Sequence, residues 1–143
     1  KGYRNFANKI WNIGRFIWLQ EQELGEQPLV STQAQRDSAT QTDQEILKTF
    51  EQLRTTTTDA LERLRFSDAA LGLYDFLWND FAQGYLEENK QREDKAAYLA
   101  VVKTVYLGSI RLLHPLMPFV TEAVWKQLGQ PGLLAQSSWN SEQ

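Results

Sequence analysis

Cysteine is absent from the 143 residues, which excludes disulfides and thiolate metal sites. Histidine occurs once, as His114, so neither a histidine-rich metal centre nor a nucleophile–histidine pair has much to be built from. There is no glycine-rich phosphate loop, and no apolar run approaches the roughly 20 residues a membrane span requires. The paired carboxylates, Glu87-Glu88, Glu93-Asp94 and Asp75 with Asn79 and Asp80, lack a histidine or cysteine to complete a transition-metal site. They read as solvated faces, and His114, between Leu113 and Pro115, reads as a capping or packing residue in a turn. No catalytic or metal site is expected. Acid is missing from residues 1–20, where Lys1, Arg4, Lys9 and Arg15 give +4. The remainder carries −7, so a basic patch on an acidic body would steer a polyanion to one place. The chain starts at Lys1 with no signal-peptide cleavage site, and is expected to begin inside a longer polypeptide.

What is present is helical periodicity. Phe6, Ile10, Ile13 and Ile17 recur at helix spacing within a segment from Gly2 to about Glu21, with Trp11, Gly14 and Trp18 alongside. Residues 22–41 read as a loop around a Pro28-Leu29-Val30 contact. Thr42-Asp43-Gln44-Glu45 has capping-box spacing and opens a helix through Ile46, Leu47, Phe50, Leu53, Leu61 and Leu64. The run Thr55–Thr58 is expected to fray or kink it. Ser67 is placed to cap a third helix that is apolar almost all round, with only the stripe Asp68, Gly72, Asp75, Asn79, Gln83 and Glu87 polar. Such a helix is central in a bundle. Residues 88–95 read as a turn. A fourth helix runs from Ala96 to Leu113, because the spacing of Leu99, Val102, Tyr106, Ile110 and Leu113 outweighs the strand-forming valines. Pro115 ends it, Pro118 suits the first turn of a short fifth, and Gly129 closes that one. In the tail, 130–143, Leu133, Leu134 and Trp139 are candidates to pack back. The expected fold is one all-α domain over 1–143, an antiparallel four- to five-helix bundle.

On the first helix, Arg4, Asn5, Asn8, Lys9, Asn12, Arg15 and Phe16 share a broad face opposite the isoleucines. Cations neutralise phosphate, asparagine hydrogen-bonds base edges, and an exposed ring stacks on a base. The same pattern also describes a merely solvated face with Phe16 packed inward, and spacing does not separate the two.

The run Arg4-Asn5-Phe6-Ala7-Asn8-Lys9-Ile10-Trp11-Asn12, with Arg15-Phe16, resembles the first helix of the valyl-tRNA synthetase anticodon-binding domain. Phe66-Ser67-Asp68-Ala69-Ala70, Leu73 through Phe81, and Tyr85-Leu86-Glu87 are similar to its central helix. Arg111 through Glu122, with Trp125, are similar to its last ones. Three blocks in order span residues 4 to 125. Leucyl and isoleucyl enzymes share the bundle, and a protein-interaction bundle without RNA contact is the other alternative. Asn8-Lys9-x-Trp11-Asn12 with His114-Pro115-x-Met117-Pro118-Phe119 is most similar to the valyl branch.

The resemblance implies a class Ia synthetase type of bundle that reads the anticodon stem-loop of a valine tRNA. Lys9, Asn12 and Phe16, with Ala82 and Leu86, would form the reading surface, and Arg4 and Arg15 would meet phosphates. Phe16 and Leu86 would hold an unstacked base. It further implies a monomeric cytoplasmic ligase whose catalytic and editing domains lie elsewhere in the same polypeptide. ATP would be used there, with no cofactor in this segment. The core signatures His-Ile-Gly-His and Lys-Met-Ser-Lys-Ser are absent from this chain. Departures from the family pattern are Asp43-Gln44-Glu45-Ile46 without its usual Arg-Trp pair, Gln83-Gly84 before Tyr85, and Trp139-Asn140 in place of Trp-Pro.

Overall fold

The computed structural model describes residues 2–24, 41–89 and 95–129, and these are entirely helical, joined by turns. Helix α1 is Gly2–Leu24 and α2 is Gln41–Glu62. Helix α3 begins as α-helix at Phe66–Asp75, continues as π-helix over Phe76–Leu86 and ends in an α turn at Glu87–Asn89. Helices α4, Lys95–Leu113, and α5, Pro118–Gln127, complete the all-α bundle. The first helix thus runs three residues beyond its expected end. The Pro28-Leu29-Val30 contact and the packing of the tail lie outside the described residues, as do residues 90–94 of the turn expected at 88–95, whose ends Glu88, Asn89 and Lys95 are helical instead.

The apolar periodicities of α1 and α4 land where burial demands, while Leu64, the last apolar position expected in α2, is exposed. Phe6, Ile10, Ile13 and Ile17 are buried, and α1 lies against α4, α5 and the π segment of α3. Helix α2 packs on α3 and α4 through Ile46 and Phe50. The core is strongly aromatic. Phe81 stacks on Tyr85 (6.4 Å between ring centroids) and on Tyr106 of α4 (6.3 Å), while Tyr85 stacks on Tyr98 (5.8 Å). Stacked or tilted pairs at this range add roughly 0.5–1.5 kcal/mol beyond the area they bury.

The π segment explains a further stack. Phe76 and Phe81, five residues apart, lie 6.2 Å apart with planes inclined by 17°. In an α-helix an i,i+5 pair diverges around the axis, whereas i→i+5 hydrogen bonding brings the two side chains back into line. Gly84 belongs to the same geometry: a Cβ there would lie 3.3 Å from the carbonyl oxygen of Asn79, five residues earlier. The central helix is α4, which touches all four others, and not α3 as its composition implies: α3 packs chiefly on α2, and Phe66 and Leu71 are exposed along it together with Asp68, Asp75, Asn79, Gln83 and Glu87.

Several local expectations are corrected. No capping box forms at Thr42, because α2 already includes Gln41 and Asp43 is buried inside its first turn. Asp43 instead accepts a hydrogen bond from the Tyr85 hydroxyl at 2.5 Å. Ser67 does not cap α3, whose N-cap position is Arg65 without a side-chain bond. The reason lies upstream: α2 ends with Arg65 N–H donating to the Ala60 carbonyl (2.7 Å) and Leu64 N–H to that of Leu61 (3.1 Å), which leads straight into α3. Leu64 takes the left-handed conformation (φ 61°) that glycine fills at this position in most helices. The threonine run neither frays nor kinks α2. Thr55 and Thr56 donate to the carbonyls four residues back, and Thr57 is buried.

Tyr106 anchors α4 to α1 by donating its hydroxyl to the Ile10 carbonyl at 2.6 Å, beside Gly14, whose missing Cβ would lie 3.0 Å from that oxygen. Burial pushes the phenol far above its ordinary value of 10.0. The folded chain therefore keeps a proton that the unfolded chain releases near pH 10. The stability this contributes is complete below pH 10 and declines as pH rises beyond it. Melting temperature is expected to fall more steeply for the wild type than for Tyr106→Phe between about pH 9 and 12. Parallel curves would show that Tyr106 is not the group responsible.

Candidate nucleic-acid interface

Helix α1 meets the π segment of α3 along a groove of about 500 Å³. Ala82 and Leu86, both buried, and Ile13 make an apolar floor, and half-buried Phe16 forms a wall. Lys9, Asn12, Gln20 and Glu87 supply polar groups around it. The volume falls in the range of roughly 300–1,000 Å³ typical of small-molecule clefts, and a flat apolar floor with polar groups around it suits a planar heterocycle.

Lys9 is held in place. Its ammonium lies 5.2 Å from the centroid of Trp78, which stacks on Tyr74 at 5.3 Å, and Tyr74 meets Phe6 at 5.0 Å. A cation over an indole face gains about 0.5–1 kcal/mol at an exposed site, enough to restrict a long side chain that would otherwise wander. Asn12 is exposed one turn along the helix and offers both donors and an acceptor.

The five residues expected to form a reading surface, Lys9, Asn12, Phe16, Ala82 and Leu86, therefore all line one groove. Arg4 and Arg15 are exposed on α1 but outside the lining. Gln20, Ile13 and Glu87 line it too and were not singled out by the sequence. Gln20 and Ile13 were legible in principle, one turn either side of Phe16. The position of Glu87 depends on the π register, which alters where each residue after Phe76 points, and a reading in turns of 3.6 residues assigns it to the solvated stripe.

Other chemistry is sparse. His114 Nδ1 lies 2.9 Å from the Thr121 hydroxyl, tying the end of α4 to α5. Among the described residues no three histidine, aspartate or glutamate side chains gather where they could hold a metal ion, and no helix is long and apolar enough to cross a membrane. A second hollow of about 540 Å³, lined by Phe6, Ser67, Leu71, Tyr74 and Met117 among others, is mainly apolar.

Comparison with known proteins bears on the groove. Residues 43–143, more than two thirds of the chain, match the family described as the anticodon-binding domain of tRNA ligase. The chain belongs to this family. Relatives of this anticodon-binding domain include the valine–tRNA ligase of Pseudothermotoga lettingae, 38% identical over 129 residues, covering 88% of this chain and 14% of the relative. That of Thermotoga maritima is 37% identical over 133 residues (91% and 15%), and that of Geobacter sulfurreducens is 39% identical over 135 residues (89% and 15%). The chain thus spans about one-seventh of the length of the curated relatives it matches.

Proposed function

We propose that the groove between α1 and α3 takes an unstacked base of a tRNA anticodon loop, and that the chain is the anticodon-reading module of a valine–tRNA ligase. One observation carries this reading. The residues expected to read RNA come from two helices about 70 positions apart and line a single cleft, with a fixed cation at its edge. Membership of the anticodon-binding family and the shared name of the relatives support it. In this reading Phe16 and Leu86 sandwich or cradle the base, while Lys9 and Asn12 hydrogen-bond its edge or the adjoining backbone. Glu87 can accept from an exocyclic amine, as acidic side chains do with cytosine N4.

Joining valine to tRNA at the expense of ATP would then belong to other domains of a longer polypeptide. Nucleotide would be bound there and not by this chain. A cytoplasmic, monomeric ligase is part of the same proposal.

The test is binding of the 143-residue chain to anticodon stem-loops by fluorescence anisotropy at low salt. A loop with a valine anticodon is expected to bind more tightly than a loop of identical stem with its three bases exchanged. Lys9→Ala and Phe16→Ala are each expected to weaken the valine loop about tenfold, the loss typical of one stacked base or one good polar contact. Equal affinity for both loops would remove base reading from this surface.

A further inference from the structure

Helix α1 carries a second chemical pattern, across its ridge from the groove. Arg4, Asn8, Trp11, Arg15, Trp18 and Gln22 follow one another at alternating steps of four and three residues, and all six are exposed. At 3.6 residues per turn those steps hold a single line along the helix. The two indoles are 37% and 36% exposed, large apolar rings left partly in water on the flank away from the isoleucines.

The line has three properties of a surface that grips single-stranded nucleic acid. Rings alternate with cations: Arg15 lies one turn from Trp11 and one from Trp18, and Arg4 lies beyond Asn8. Neither arginine forms an ion pair within the described residues, and residues 1–20 contain no acid to compensate them. The first acid along α1, Glu21, accepts from Lys103 of α4, and the next, Glu23, stands exposed beyond Trp18 at the end of the helix. Finally the line is continuous with the groove, because Asn12 and Arg15 sit on the ridge between them. Uncompensated cations beside aromatic faces bind a polynucleotide strand through phosphate neutralisation and base stacking, with little dependence on sequence.

We infer that the Arg4–Trp18 line of α1 is a sequence-independent RNA grip that holds the nucleotides next to the base in the groove. It rests on the reading of the groove as an RNA site, but divides the labour differently: the groove discriminates and the line supplies affinity. Trp11 and Trp18 lie seven residues apart, about 10 Å along the axis. Each ring takes a base of its own, with Arg15 on a phosphate between them and Arg4 on one beyond Trp11.

The experiment uses the full 143-residue chain, with the valine loop and the anticodon-exchanged loop titrated side by side. Trp11→Ala with Trp18→Ala is expected to weaken both loops by about tenfold or more, leaving the ratio of their affinities unchanged. Trp11→Phe with Trp18→Phe, which keeps a ring at each site, is expected to recover most of the loss. Arg4→Gln with Arg15→Gln is expected to reduce the slope of log affinity against log salt by about 1.4, two phosphates' worth for a single strand. Should the alanine pair fail to fold, the phenylalanine and glutamine pairs decide. Affinity within twofold of wild type for the alanine pair, with an unchanged salt slope for the arginine pair, would overturn the inference and point to a protein-docking face. Loss of the ratio in the alanine pair would overturn it as well, since a grip must not discriminate. The two readings fail separately: a wild type that binds both loops equally defeats base reading in the groove, while the line is judged on the variants.

Discussion

Gly108→Ala is expected to destabilise the bundle by about 1–3 kcal/mol, although alanine is the better helix former by roughly 1 kcal/mol in an ordinary interior. A methyl group on Gly108 would stand 2.4 Å from Cζ of Phe50, with Cε2 and Cε1 at 3.0 and 3.3 Å. The Phe50 ring is buried and lies 6.1 Å from that of Phe76, so it has little room to retreat. Helix α2 reaches α4 here because α4 offers bare backbone for the ring to lie on. Urea midpoints at constant slope would measure the cost. The same substitution made in a Phe50→Leu background is expected to cost less by about 1 kcal/mol or more, since the clash is with the ring alone. An alanine variant more stable than wild type would mean that α2 does not press on α4 at this point.

Tyr85→Phe is expected to cost about 1.5–3 kcal/mol, the range for a hydrogen bond to a charged group. Its hydroxyl donates to Asp43, whose side chain is fully buried at the first turn of α2. The amino end of a helix favours a carboxylate, but burial makes each lost donor expensive. Asp43→Asn, which keeps an acceptor oxygen for the tyrosine, is expected to lose less than Tyr85→Phe. Thermal unfolding of both variants would test the order. A Tyr85→Phe variant as stable as wild type would show that Asp43 is satisfied by its other surroundings.

These residues also mark where the sequence could be read and where it could not. Period 3.6 found the core faces of α1 and α4, because burial selects apolar residues at the spacing a helix repeats. Pro118 and Gly129 marked the ends of α5 through backbone geometry alone, one at the first turn and the other with φ of 71°. The candidate groove was legible as far as its residues lie on α1, or fall at Ala82 and Leu86 by resemblance. Thr42 was misread as a cap because a short polar side chain near a helix start has a local use, and the burial of Asp43 was not legible because its partner Tyr85 is 42 residues away and leaves no trace nearby. The exposure of Trp11 and Trp18 was not legible, because indoles count as apolar wherever they stand. Their step of seven from one another, in line with Arg4 and Arg15, was visible without coordinates. The departure of α3 from α geometry was not, since i,i+5 aromatic pairs arise by chance in any ring-rich stretch.

That departure locks the length of the chain between Phe76 and Leu86. Removing one residue there would let the segment tighten into ordinary turns, rotating everything after it. Tyr85 would leave Asp43 on one flank while Leu86 left Phe16 on the other. The latch that fastens α2 and the cleft that faces α1 therefore share a single phase. Side chains in this stretch can be exchanged one at a time; insertions and deletions change both at once.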